Sequence, residues 1–294
     1  MPTPSIPLEI HETIIDLLAE DDKNFVPIKA YSLVCRTFLP LCRKHIFASI
    51  VLNHGPRSPT TRMLERLISA SPEIANYIRK LYYNIAVDDF TNPLIQECLK
   101  RISRLQFLAV RNYNGRKLDW SSNHLRPALL HLLHLPTLTH FTVFAIDKFV
   151  ASDLAPCVNL KILDIGSDTT GTATNTFAAA LPHPSIQLNE FVSGINNSTV
   201  IMNLCIAQRP DGQPVIDFTS LPKIRVEIEK DNDLASEELF RRCKQLTDVS
   251  ISCKRYLWPL LLILIMLPSS MGPQVDSSQH FQHVAAVHAH TEVP

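Results

Sequence analysis

The chain has 294 residues, long enough for a substantial core, and its 28 Lys and Arg balance its 28 Asp and Glu. A formal charge of zero gives no electrostatic footprint for nucleic acid and no acidic-tail signature. Glycine is scarce at 7 residues, and neither GxGxxG nor GxxxxGK followed by Ser or Thr occurs, which argues against a glycine-rich phosphate loop.

Ser5–Asp21, SIPLEIHETIIDLLAED, predicts the first helix. Ser5 can cap free amides, and Pro7 suits a first turn that does not need its N–H. At about 100° per residue, Ile10, Ile14, Leu17 and Leu18 form one stripe, the usual core-facing pattern. Leu8 and Ile15 lie beside it and widen the apolar arc to roughly 180°. Glu9, Glu12, Thr13 and Asp16 share the remaining face. So broad an arc on so short a helix has two readings. Either the helix is sandwiched inside a larger domain, or one stripe faces its own neighbours and the other faces a partner protein. Pro27–Val34 predicts a short second helix. A third starts near Thr37, with Pro40 tolerated in its first turn. Phe38, Leu41, Cys42, His45 and Ile46 form its single stripe, and Arg36, Arg43 and Lys44 point elsewhere. Three short helices in residues 5–47 sit near the lower size limit for a self-sufficient core.

From Phe47 onward helix signals alternate with short strand-like runs. Ser58-Pro59 opens a helix with Met63, Leu64, Leu67 and Ile68 on one side, and Tyr77–Ile85 reads as a strand. Asn92-Pro93 opens another helix, with Leu94, Ile95, Cys98, Leu99 and Ile102, before the strand Arg104–Val110. SSNHLRPALLHLLHL is helical, followed by strands at Leu138–Val143 and Asn159–Ile165. The strands share a form: an apolar residue, two others, an apolar residue, one other, an apolar residue. Leu105-Leu108-Val110, Leu138-Phe141-Val143, Leu160-Leu163-Ile165 and Leu246-Val249-Ile251 fit it. The central residues Leu81, Leu108, Phe141 and Leu163 are 27, 33 and 22 residues apart, similar to degenerate leucine-rich repeats with one strand per repeat. Residues 166–220 do not phase with this pattern, and the Asn or Cys that closes the full repeat is largely missing. The alternative is an ordinary α/β domain with similarly spaced strands. In a solenoid, one stack of strands would form a surface suited to protein recognition.

The run Leu257–Leu267 would span about 16 Å as a helix against a hydrocarbon core of about 30 Å, and Pro259 interrupts it. A buried strand or core helix, able to cap the last repeat, is expected, and no membrane span. Residues 268–294 read as a disordered tail; its His280, His283, His288 and His290 would have to pay an ordering cost to bind a metal. The first residues lack a basic stretch followed by an apolar one, so no secretory leader is expected. Seven scattered cysteines without CxxC fit reduced thiols in the cytoplasm or nucleus, mostly as small core residues. The overlapping sequons at Asn196 and Asn197 would matter only in a secreted chain.

No HExxH, GxSxG or paired cysteine ligands occur. His131 and His134 flank a leucine-rich helix without an evident third ligand and read as a helix-edge pair. Asp88-Asp89, Glu237-Glu238 and Arg241-Arg242 read as solvated charges. No catalytic residue, cofactor or metal is expected.

Ile6-Pro7-Leu8-Glu9, and Leu33-Val34-Cys35-Arg36-Thr37-Phe38 after a short polar gap, together resemble an F-box, particularly the F-box-like domains of mushroom-forming fungi. The resemblance covers residues 5–50. It implies an α/β architecture in which a three-helix F-box-like unit (5–50) precedes an irregular leucine-rich-repeat-like solenoid of alternating helices and short parallel strands (51–267). It also implies docking on the Skp-family adaptor of a cullin-RING ubiquitin ligase, with Pro7, Leu8, an outward-facing Ile15, Leu33, Val34 and Cys35 at the contact. For Val34 and Cys35 a plain core role remains an equal alternative. The expected function is recruitment of a target protein to an SCF-type ligase, with the cullin scaffold as an indirect partner and the chemistry on other subunits. The alternative function is an interaction scaffold with no part in ubiquitination.

Overall fold

A computed structural model describes residues 7–21, 25–53, 61–86, 89, 92–112, 118–172, 184–228 and 234–253. The run Leu257–Leu267, the tail, Ser5, Ser58-Pro59 and Asp88 lie outside them. The fold is mixed α/β, with eight α-helices among the described residues and a mostly parallel sheet that does not close into a barrel. No described helix is long and apolar enough to cross a membrane.

The chain forms two compact units, the first reaching Val110 and including Pro127–Leu138, the second comprising Arg111–Arg126 and the chain from Thr139 onward. The first unit begins with helices α1 (Leu8–Asp21), α2 (Val26–Ser32) and α3 (Phe38–Ile46). Their core is Ile15, Ile28 and Cys42, with Leu18, Ala19, Phe25, Tyr31, Phe38, Leu41 and Ile46 packed against it. Then follow β1 (Ser49–Leu52), α4 (Thr61–Ala70), β2 (Lys80–Asn84), α5 (Pro93–Lys100) and β3 (Phe107–Arg111), and the unit also receives most of α6 (Arg126–Leu133). Asn92 caps α5, its side-chain oxygen accepting from the Leu94 N–H at 3.0 Å, and Pro93 occupies the first turn as the sequence predicts. The strands β1, β2 and β3 are neighbours in that order.

The second unit holds the two-residue strands β4 (Leu118–Asp119), β6 (Ile146–Asp147), β7 (Phe149–Val150) and β9 (Gly171–Thr172), and the longer β5 (His140–Phe144), β8 (Ile162–Ile165), β10 (Glu190–Ser193), β11 (Lys223–Ile228) and β12 (Asp248–Cys253). Helices α7 (Ser198–Ile206) and α8 (Leu234–Arg242) lie between the later strands in sequence. The long strands pair in parallel in the order β5, β8, β10, β11, β12. Their register sets Phe141, Leu163, Phe191, Ile224 and Val249 opposite one another. The first unit sets Ile50 opposite Leu81 in the same manner.

Five steps of the ladder start with the same device. One carbonyl at the head of a strand accepts from two successive N–H groups of the next. Ala48 receives Arg79 and Lys80 at 2.9 and 2.8 Å; Arg79 receives Gln106 and Phe107 at 2.7 and 3.0 Å. Thr139 receives Lys161 and Ile162 at 2.8 and 3.0 Å; Lys161 receives Asn189 and Glu190 at 2.7 and 3.1 Å; Pro222 receives Thr247 and Asp248 at 2.8 and 3.0 Å. A side-chain pattern of one apolar residue before the strand and two within it therefore comes with a matching backbone pattern. It holds for Ile78-Leu81-Tyr83, Leu105-Leu108-Val110, Leu138-Phe141-Val143 and Leu160-Leu163-Ile165, all buried.

Two features, Asp89 and the rotation of α1, correct the sequence-based expectations. Asp89 is not a solvated charge: it is 1 % exposed and accepts from Thr61 Oγ1 at 2.8 Å, Tyr83 Oη at 3.0 Å and the Ala86 N–H at 2.9 Å. Burial, with Asp89 adding to it, pushes the Tyr83 phenol well above its ordinary range, so the phenol keeps its proton and donates. Asn197, one of the two discounted sequon residues, is buried. Its Nδ2 donates to the Ile165 and Gly194 carbonyls at 2.7 and 3.0 Å, and its Oδ1 accepts from the Thr169 N–H at 3.1 Å, so the buried amide ties two strand ends together. The correction at α1 determines the candidate site.

Candidate functional site

Helix α1 is rotated relative to the expected orientation. Its inward face is Ile15, fully buried, with Leu18, Ala19 and His11 beside it; of the stripe expected to face the core only Leu18 does so, and Ile10, Ile14 and Leu17 are exposed. Aromatic packing and charge pairing fix this rotation. His11 Nδ1 lies 2.8 Å from Tyr31 Oη, and its ring centroid lies 4.5 Å from that of Phe38, which stacks on Tyr31 at 4.9 Å. On the other flank, Lys44 Nζ lies 3.2 Å from Glu12 and 3.3 Å from Asp16, and His45 Nε2 lies 2.7 Å from Asp16. Partial burial raises the Asp16 carboxyl, but the bonds from His45 and Lys44 outweigh it and hold the group below the usual carboxylate range. Helix α3 therefore grips α1 on the side of Asp16, and Ile15, one residue away, must point into the core.

Ile15 thus cannot be an outward-facing contact residue, contrary to its assignment from the resemblance. The other five residues of that set, Pro7, Leu8, Leu33, Val34 and Cys35, are all exposed. Leu33 is 87 % exposed, Val34 67 % and Leu8 46 %. The core alternative for Val34 and Cys35 is therefore not what the fold adopts. The expected second helix stops at Ser32, two residues early, and Leu33 and Val34 form a turn whose N–H groups donate to the Ala30 and Tyr31 carbonyls at 3.1 Å each. The backbone of this turn is satisfied, but its side chains have no cover among the described residues. Large apolar side chains clustered on one small unit and left in water are the usual mark of an interaction site.

A second surface lies on the solvent face of the ladder in the second unit. Residues that alternate with the buried ones line up across the strands: Thr142, Asp164, Val192, Arg225 and Ser250 are register partners. Asp164, Val192, Arg225 and Ser250, together with Phe144 and Glu227, border a concavity of about 300 Å³. Arg225 Nε donates to Glu190 Oε1 at 2.7 Å, and its Nη2 donates to the same oxygen. Burial pushes the Asp164 carboxyl up, against the pull of Arg111 and a hydrogen bond from Thr142 Oγ1 at 3.5 Å. Gly166 permits the close approach here, since a Cβ on it would meet Phe144 Cδ2 at 2.4 Å. None of these residues was named from sequence, because naming them needs the strand phase. With the phase known, the signal is plain: Asp164 sits between Leu163 and Ile165, and Arg225 between Ile224 and Val226.

His131, Glu238 and the buried cysteines are engaged within the fold. His131 Nε2 lies 3.4 Å from the Ile102 carbonyl, and no group of three His, Cys, Asp or Glu able to hold a metal occurs among the described residues. Glu238 pairs with Arg241 at 2.9 Å and Arg242 at 2.7 Å along α8. Cys42, Cys98, Cys157 and Cys205 are buried, and burial pushes the Cys205 thiol up to about 12. No protein-family model and no curated protein matches the chain.

Proposed function

We propose that the chain is a substrate-recruiting F-box-like subunit of an SCF-type cullin-RING ubiquitin ligase. It binds a Skp-family adaptor through Pro7, Leu8, Leu33, Val34 and Cys35, and a target protein through the ladder face of an irregular leucine-rich-repeat-like solenoid. One observation carries the proposal: Leu33 and Val34 project into water from the α2–α3 turn, at the positions where the F-box resemblance places adaptor contact. Covering Leu8 and Leu33 would contribute on the order of 1.5–3 kcal/mol each, which gives such a turn a reason to carry them. The strand-head hydrogen bonds and the shared register support the repeat reading. The subunit itself does no chemistry. It holds a target lysine near a ubiquitin carried by other subunits, in the cytoplasm or nucleus, and turns a bimolecular encounter into a local one.

Cys35 reports on this directly, since it is the exposed thiol within the contact set. N-Ethylmaleimide is expected to modify Cys35 rapidly in the free chain, while Cys42, Cys98, Cys157 and Cys205 stay unmodified until unfolding. A saturating Skp-family adaptor is expected to slow Cys35 modification at least tenfold. An unchanged Cys35 rate in a complex shown to be assembled would place the adaptor elsewhere.

A further inference from the structure

The concavity on the ladder face has a chemistry that selects its occupant. We propose that it receives the side chain of an arginine or lysine from an extended segment of the bound target; this rests on the reading that the ladder face receives the target. A volume of about 300 Å³ has room for one long side chain. Phe144 and Val192 provide apolar wall for an aliphatic stem, and Asp164 and Glu227 supply carboxylates for a cationic head. Arg225 does not reverse the preference, because Glu190 already holds its guanidinium through both Nε and Nη2. Among the described residues the lining carries two carboxylates, Asp164 and Glu227, against the one guanidinium of Arg225, which Glu190 pairs from beside it, and Arg111 acts on Asp164 from outside the lining. Glu227 is exposed and has no ion-pair partner among the described residues, so it is available to a ligand. Ser167, Ser250 and Ser252 add hydroxyl acceptors around the same opening.

The test uses the full chain and three small probes: N-acetyl-arginine amide, its uncharged isostere N-acetyl-citrulline amide, and N-acetyl-phosphoserine amide. Amide chemical shifts of Gly166, Ser167 and Gly194 are expected to move saturably with the arginine probe at millimolar concentration. The citrulline probe is expected to bind about tenfold more weakly, the loss of one charge-assisted contact. Asp164→Asn combined with Glu227→Gln is expected to weaken the arginine probe about tenfold with the other amide shifts unchanged. No saturable shift up to about 20 mM, equal binding of citrulline, or preference for phosphoserine would each overturn the assignment. Adaptor capture by the same samples separates the two readings. Adaptor bound without arginine overturns only the pocket, and arginine bound without adaptor overturns only the ligase role.

Discussion

Ile15→Asp is expected to unfold the N-terminal helical unit, and Ile14→Asp to leave it folded. The two residues are adjacent on α1 and alike in chemistry, but Ile15 is fully buried with Ile28 and Cys42, whereas Ile14 is 38 % exposed. Truncating a buried isoleucine to alanine costs about 2–5 kcal/mol. An unpaired carboxylate in the same place costs more, because it is desolvated without a partner. A core of this size supplies roughly 3–5 kcal/mol in all, so the aspartate exceeds what the unit has. At Ile14 the carboxylate stays hydrated, and a change under about 1 kcal/mol is expected. Hydrogen exchange of the amides in Leu8–Ile46 reads both variants. Loss of protection in the Ile14 variant with retention in the Ile15 variant would reverse the orientation of α1.

Asp153→Ala is expected to destabilise the second unit by about 2–4 kcal/mol. Asp153 joins two partners that cannot easily find others. Trp120, fully buried, donates its indole N–H to Asp153 Oδ2 at 2.7 Å, and Arg126 Nη2 donates to Oδ1 and Oδ2 at 2.8 and 2.9 Å. The Asp153 side chain is only 12 % exposed and the Arg126 side chain 31 %, so water replaces the lost bonds poorly. The Trp120 ring also packs at 5.2 Å on Phe149, which lies 6.1 Å from Phe141, so tilting the indole would disturb the ladder's core. By comparison Glu97→Ala, which removes the exposed Lys100–Glu97 pair, is expected to change stability by under 1 kcal/mol. Urea titration monitored by tryptophan fluorescence distinguishes the two. Equal midpoints for both variants would contradict a load on Asp153.

The helices α1 to α6 were legible in the sequence, α7 at Ser198–Ile206 was not, and the orientation of α1 was not. On α1 three of the four residues of the more regular stripe, Ile10, Ile14 and Leu17, are exposed, and the fourth, Leu18, packs on the core. An arc of about 180° contains two possible inward faces, and periodicity weights them equally. What decides between them is non-local: Phe38 and Tyr31 against His11, and Lys44 and His45 against Asp16, all from segments at least 20 residues away. The strand pattern was legible wherever all three apolar positions were filled. It was equally present at Leu221-Ile224-Val226, which is β11, but residues 166–220 offered no neighbouring repeat to set its phase. The step at β10 was concealed because its third position is Ser193, whose buried hydroxyl accepts from Asn197 Nδ2 at 3.2 Å in place of an apolar contact. Asp89 looked like a surface charge because its partners, Thr61 and Tyr83, come from α4 and β2. Of the proposed contact residues, the opening and middle motifs located five on the exposed surface. The sixth, Ile15, was assigned outward on the same ambiguous wheel.

The most direct measurement is the affinity of the full chain for a purified Skp-family adaptor, compared with a Leu8→Asp/Leu33→Asp variant. Both substitutions fall on exposed side chains, so hydrogen exchange across Leu8–Ile46 is expected to remain as in the parent chain. The expected result is a stable complex with the parent chain that then recruits the cullin, and at least a hundredfold weaker binding by the variant, about 2.7 kcal/mol or more. A complex that forms without recruiting the cullin would favour a scaffold outside the ligase. No complex with the folded parent chain, or equal affinity for the variant, would contradict adaptor docking at Leu8 and Leu33.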